Sequence, residues 1–130
     1  MTGPIRLEPV YLNSIWAGNR LGEIRRLKSP GTGISREVCT YPGSENRVCN
    51  GPFEGQKITD LIQARRDEIM GNDPESQMVR VAFMDTAEDL SIQVHPDGAM
   101  AEAEGDFEKS QTTVLFGTEY YYSGRKNIRA

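Results

Sequence analysis

From Leu90 to His95 apolar and polar residues alternate without interruption, with Leu90, Ile92 and Val94 on one side and Ser91, Gln93 and His95 on the other. A period of two is strand geometry, because successive side chains of a β-strand point to opposite faces. Pro96 ends the run, since proline cannot donate a ladder hydrogen bond. The alternation predicts a strand over Asp89 to His95 and sets the chain apart from all-helical folds. Upstream, Met78 to Asp85 is β-rich and apolar almost throughout, as in a barrel wall or sandwich. Thr112 to Phe116 reads as a third strand and Tyr120 to Tyr122 as a fourth.

The first 33 residues read as extended and loop structure, because Gly3, Pro4, Pro9, Gly18, Gly22, Pro30, Gly31 and Gly33 recur too often for a long helix. Ser35 to Thr40 is predicted as a short strand. Tyr41-Pro42-Gly43-Ser44 is a turn signal, with proline at the second position and glycine at the third. Asn50-Gly51-Pro52 is a second break. The pattern predicts a helix from Thr59 to Met70, capped by Thr59 and stopped at Gly71-Asn72, with Leu61, Ile62, Ala64 and Ile69 on its packed face. Ala99 to Glu104 is expected to be a short helical turn or loop. No internal repeat or low-complexity tract is visible.

Composition narrows the function. Of the 130 residues 37% are apolar and 8% aromatic, so the core is expected to be thin or completed by another chain. A net charge of −4, from 19 acidic and 15 basic residues, gives no electrostatic footprint for nucleic acid. No apolar run approaches the roughly 20 residues that span a bilayer, and the N-terminus lacks the charged-then-apolar order of a secretory signal. A cytoplasmic location is therefore expected, with no membrane partner. Cys39 and Cys49 match no common zinc spacing, and two half-buried thiols are expected in preference to a disulfide.

The chemistry concentrates on the polar face of the alternating strand. In a small barrel such a face can point into a cavity and present the amide of Gln93 and the imidazole of His95 to a metal, with Ser91 beside them. In an ordinary sandwich the same face meets water. His95 is the sole histidine, so the chain cannot build a multi-histidine site alone. Arg25-Arg26 and Arg65-Arg66 read as solvated faces, though either pair could meet a phosphate. Trp16 reads as a core residue or as the wall of a carbohydrate site, and Tyr120 to Tyr122 as part of a strand or as a sugar-stacking platform.

Leu90-Ser91-Ile92-Gln93-Val94-His95-Pro96-Asp97 resembles the metal-binding signature of type I mannose-6-phosphate isomerases, zinc-dependent cupins. Weaker matches follow in the family's order: Trp16 to Leu21, Gly33 to Val38, Asn50 to Gly55 and Phe83 to Asp89. The resemblance implies a mainly β fold, a cupin-like jelly-roll β-barrel, closed or incomplete, with one or two short helices. It implies one domain over 1–130, matching the N-terminal part of the family. It also implies one zinc ion and a sugar-phosphate substrate, mannose 6-phosphate being interconverted with fructose 6-phosphate through an enediol. The family's first two ligands fall on Gln93 and His95. Its Gly-Lys-Ser/Thr-Glu motif falls on Glu108-Lys109-Ser110-Gln111, which makes Lys109 the candidate catalytic and substrate-facing residue and Gln111 the third metal ligand. Ser91 joins Lys109 as a substrate-binding candidate.

The departures are chemical. Gln111 stands where the family has a glutamate ligand, Ile34 where it has glutamate, and Arg36 and Thr113 where it has tryptophans. An amide in place of a carboxylate removes a negative charge from the metal shell and weakens zinc. A non-catalytic cupin module that binds a sugar or small molecule, or mediates protein interaction, is the alternative expectation. An incomplete barrel also has open edges that need covering, so self-association into a homo-oligomer is expected.

Overall fold

A computed structural model of the chain describes residues 3–90 and 97–105. Residues 1–91 and 92–130 form separate compact units. In the first, strand β1 (Leu7–Glu8) is followed by β2 (Val10–Asn13), helix α1 (Arg20–Arg25), β3 (Thr32–Val38) and β4 (Arg47–Val48). A 3-10 turn (Gly51–Phe53), α2 (Ile58–Ala64), α3 (Arg66–Ile69) and β5 (Val81–Met84) complete it. In the second, the described element is α4 (Gly98–Ala103). The Ala99 to Glu104 expectation falls on this helix.

Two antiparallel sheets result. One pairs β1 with β4, Leu7 opposite Val48. The other has the order β2-β3-β5. Pro9 separates β1 from β2, and with no N–H to donate it is where the chain passes from one sheet to the other. In the larger sheet Tyr11 lies opposite Ser35, and Ser35 lies opposite Phe83. The strand expected at Ser35 begins earlier, at Thr32, because Thr32 already pairs with Asn13. The Tyr41–Ser44 turn forms as expected: Ser44 N donates to Tyr41 O at 3.0 Å, and Gly43 takes a φ of +81°.

The core is small. Val48, Ile58, Leu61 and Ile62 are buried together, with Ile5, Leu7, Phe53, Ile69, Met70 and Met78 packed around them. Ile58, Leu61 and Ile62 are spaced i, i+3, i+4, so one stripe of α2 seals against the β1–β4 sheet. Asn46 is completely buried beside this core. Its Oδ1 accepts from Cys39 N, and its Nδ2 donates to Glu8 O at 2.8 Å and Arg36 O at 2.9 Å. Its own carbonyl accepts from Ile58 N at 3.0 Å. One asparagine thus connects β1, β3 and the start of α2.

Several expectations need correction. The helix expected from Thr59 to Met70 is two helices, broken at Arg65, whose backbone is non-helical at φ −140°, ψ 44°. The Arg65 guanidinium lies 5.1 Å from the centre of the Phe53 ring and pairs with Glu68 at 2.9 Å. Thr59 caps nothing, because the helix begins one residue before it. Lys57 is extended at the N-cap without a side-chain cap bond, and it bridges to Arg47. Ala64 is exposed, not packed.

The strand expected over Met78 to Asp85 is confined to Val81–Met84. Met78 N instead donates to Thr40 Oγ1 at 3.1 Å, and Arg80 lies over Tyr41 at 5.1 Å. All four residues of β5 are exposed. Asp89 and Leu90, expected to open the next strand, lie outside any strand. The strands expected over Thr112 to Phe116 and Tyr120 to Tyr122 lie outside the described residues. A six-residue helix, α1, occupies the stretch read as loop. Cys39 is buried, Cys49 half-buried, and both are free thiols.

Candidate functional site

The segment that precedes the signature in sequence, at the end of β5, is short and well anchored. Asp85 N donates to Gly33 O at 2.9 Å, Gly18 N donates to Asp85 O at 2.9 Å, and Ala87 N donates to Trp16 O at 2.9 Å. Ala17 and Thr86 form an antiparallel bridge. The carboxylate of Asp85 accepts from Leu21 N at 2.7 Å, so it satisfies an otherwise unpaired N–H at the start of α1.

Two glycines make this contact possible. A Cβ on Gly18 would overlap the Asp85 carboxylate, and one on Gly33 would come within 2.7 Å of the Trp16 ring and 2.9 Å of Ser14 Cβ. Trp16 is half-buried against the backbone of β3. Of its two expected roles, packing is the one these contacts describe. Three of the segments singled out in the sequence, Trp16 to Leu21, Gly33 to Val38 and Phe83 to Asp89, therefore meet around Gly18, Gly33 and Asp85.

The basic pairs are mostly engaged. Arg25 binds Glu37 at 2.8 Å and lies 6.0 Å from the centre of the Phe83 ring, while Ser35 Oγ donates to the same Glu37 oxygen. Arg26 closes α1 in the left-handed region at φ 54°, its N–H donated to Glu23 O and Gly22 O. Arg66 donates one Nη2 to Asp73 O at 2.6 Å and Glu75 O at 2.8 Å, closing the loop that follows α3.

At the last position of the signature, Asp97 is extended, and its Oδ1 accepts from Met100 N at 3.0 Å. This caps α4 through its side chain. Ser91, Gln93, His95, Lys109 and Gln111, the candidate substrate, catalytic and metal residues, lie outside the described residues. Among the described residues no group of three His, Cys, Asp or Glu side chains is placed to hold a metal ion. No helix among them is long and apolar enough to cross a membrane.

Pattern reading missed Asn46 and Asp85. Asn46 sits in a polar stretch that reads as loop, and the end of a strand gives no local sign that Asp85 caps a helix 64 residues away in sequence.

No family model matches the chain. Individual proteins do. The mannose-6-phosphate isomerase of Streptococcus mutans is 34% identical over 121 residues, 86% of this chain and 38% of that protein. Mannose-6-phosphate isomerase ManA of Bacillus subtilis is 25% identical over 88% of this chain and 37% of its own length. The crystal structure of the mannose 6-phosphate isomerase from Bacillus subtilis superposes with a TM-score of 0.73 and 29% identity, over 82% of this chain and 35% of that one. The chain is a partial relative of the mannose-6-phosphate isomerases.

The mainly β, cupin-like fold with short helices follows from the same match. The chain spans about a third of the length of the curated mannose-6-phosphate isomerases it matches. The match covers more than four fifths of the chain, so it extends well beyond the signature.

Proposed function

We propose that the chain supplies the glutamine–histidine strand and the lysine of a mannose-6-phosphate isomerase-type site, with a sugar phosphate as its ligand. What supports this is the agreement of sequence and fold over more than four fifths of the chain. In this reading residues 1–130 act as one cupin-like domain, in the cytoplasm, without nucleic acid or membrane. The same reading includes self-association, which sedimentation velocity tests: a mass above that of one chain is expected, and the mass of a single chain would count against it.

The donor set carries the mechanism only part of the way. Gln93, His95 and Gln111 would give one imidazole and two amides, a neutral shell. Zinc sites are built from thiolate, imidazole and carboxylate, and a neutral amide pair does not replace them. With Gln111 in place of a carboxylate, the residues of this chain would hold zinc only weakly.

What they can do is bind and orient. Ser91 offers a hydroxyl to a sugar oxygen. Lys109 offers a point charge to the phosphate, or to the oxygen that becomes negative as the C2 proton leaves and the enediol forms. The proton returned at C1 balances the isomerisation. No residue of the chain is assigned as the base, so the isolated chain is expected to show little or no isomerase activity.

Gln111 favours a second reading, a non-catalytic module that keeps the sugar-phosphate pocket. Zinc titration of the purified chain, of His95→Ala and of Gln111→Glu separates the two, with a coupled assay for fructose 6-phosphate alongside. The isomerase reading expects weak zinc binding that His95→Ala abolishes and Gln111→Glu strengthens about tenfold or more, as restoring one charged ligand interaction would. If no variant takes up zinc at saturation, the isomerase reading falls and the binding module stands.

A further inference from the structure

A cavity of about 340 Å³ opens between the end of β3 and the α2–α3 pair, lined by Thr40, Thr59, Ile62, Gln63, Arg66 and Ser76. We propose that it is a binding site for a small ligand carrying a phosphate-type oxyanion on a hydroxylated body. The described lining residues are distinct from Ser91, Gln93, His95, Lys109 and Gln111, so the site is argued apart from the isomerase reading.

Thr40 is 6% exposed, and its hydroxyl oxygen accepts from Met78 N at 3.1 Å. A hydroxyl carries one donor as well as its acceptor sites, so this bond leaves the proton of a nearly buried hydroxyl to be given to something in the cavity. Arg66 spends a single Nη2 on the carbonyls of Asp73 and Glu75. A guanidinium has five N–H donors, so Nε and Nη1 remain for a ligand.

Those two carbonyls also hold the fork in place. The loop they belong to is tightened by Glu75 N donating to Asp73 Oδ1 at 3.0 Å. A pre-positioned guanidinium loses less side-chain freedom on binding than a free surface arginine.

Among the described lining residues one carries a formal charge, Arg66, and it is positive. Thr59, Ser76 and Gln63 add two hydroxyls and an amide, and Ile62 is 7% exposed. Among the described residues no carboxylate belongs to the wall, so an oxyanion meets their donors without an acceptor of its own sign. The hydroxyls and the amide can also accept, which suits a ligand with hydroxyls of its own. The volume lies at the lower end of the roughly 300–1,000 Å³ of small-molecule sites, which suits a small ligand.

Amide chemical-shift titration of the full chain tests this with three probes: inorganic phosphate, glycerol 3-phosphate and glycerol, each at constant ionic strength. Saturable shifts are expected at Thr59, Gln63 and Ser76 with both phosphates, more tightly with glycerol 3-phosphate, and none with glycerol. The double variant Thr59→Val, Gln63→Leu touches neither the Arg66 staple nor the Thr40 bond and should keep its melting temperature. It should weaken glycerol 3-phosphate about tenfold while leaving inorganic phosphate, held chiefly by Arg66, less affected. Arg66→Lys, which keeps the charge without the fork, should weaken both phosphates, and His95→Ala should change neither. Absence of saturable shifts at these residues, or unchanged affinity in both the double variant and a folded Arg66→Lys, would overturn the proposal.

Discussion

At the scale of single residues, the largest structural consequence attaches to Asn46. Its side chain accepts one backbone hydrogen bond and donates two, in a position with no exposure at all. Asn46→Ala would leave the Cys39 N–H and the Glu8 and Arg36 carbonyls without these partners inside the protein. Each unsatisfied buried group costs about 1–3 kcal/mol, so the variant should lose about 3 kcal/mol or more, and urea unfolding reads the loss as a lowered midpoint. Asn46→Asp adds a test of the donor role, since at neutral pH it would set a carboxylate against two carbonyl oxygens. It should be no more stable than Asn46→Ala at pH 7 and should recover partly as the carboxylate is protonated. Equal stability of all three proteins would show that the buried amide does not hold the strands together. The sequence gives no local sign of this role, because the two carbonyls lie 38 and 10 residues away in the chain.

At the scale of elements, what was legible is what local chemistry decides. Pro42 and Gly43 fix a turn wherever the chain takes them, and Leu61 with Ile62 marks a helix face regardless of its partner. The start of that helix was not legible, because a strand bridge at Lys57 and the Asn46 carbonyl set it, and neither is a property of the helix sequence. β5 was read too long for a related reason: Met78 and Arg80 suit a strand, but Thr40 and Tyr41 engage them first. The collinear segments Trp16 to Leu21 and Phe83 to Asp89 could be named from the sequence, yet their meeting at Gly18 and Asp85 is a tertiary fact. The two possible helix caps make the contrast measurable. Asp97 accepts from Met100 N and caps α4, whereas Thr59 lies inside α2 with no capping bond. Asp97→Ala should cost about 1 kcal/mol of local stability, within the range of lost N-caps, and Thr59→Ala should stay within about 0.5 kcal/mol, as a substitution without a special contact does. Hydrogen exchange at the Met100 amide and a thermal melt of each variant give the two numbers. A larger loss at Thr59 would reverse the assignment of the helix start.

At the scale of the whole molecule, the core among the described residues is small, and apolar surface lies outside it. The buried cluster beneath α2 has four residues, while Val81 is 45%, Phe83 50% and Met84 45% exposed along one strand. The exposed residues of β5 alternate between the two faces of the sheet, so the apolar area is not confined to one side. A strand of this kind invites pairing or adsorption unless charge or another element covers it. The native chain should therefore bind a hydrophobic dye such as ANS without unfolding. Met84→Lys, which puts on the strand the residue type that natural sheet edges use against association, should reduce that signal and raise the solubility limit. Its effect on unfolding free energy should stay within about 1 kcal/mol, because the side chain it replaces is already largely in water. Val81→Thr, which keeps the β-branched shape and removes a methyl from the exposed face, should move dye binding in the same direction by a smaller amount. If the native chain binds no dye, or Met84→Lys leaves dye binding and solubility unchanged, β5 is covered in solution, and the sheet in its working state has more strands than the three described here.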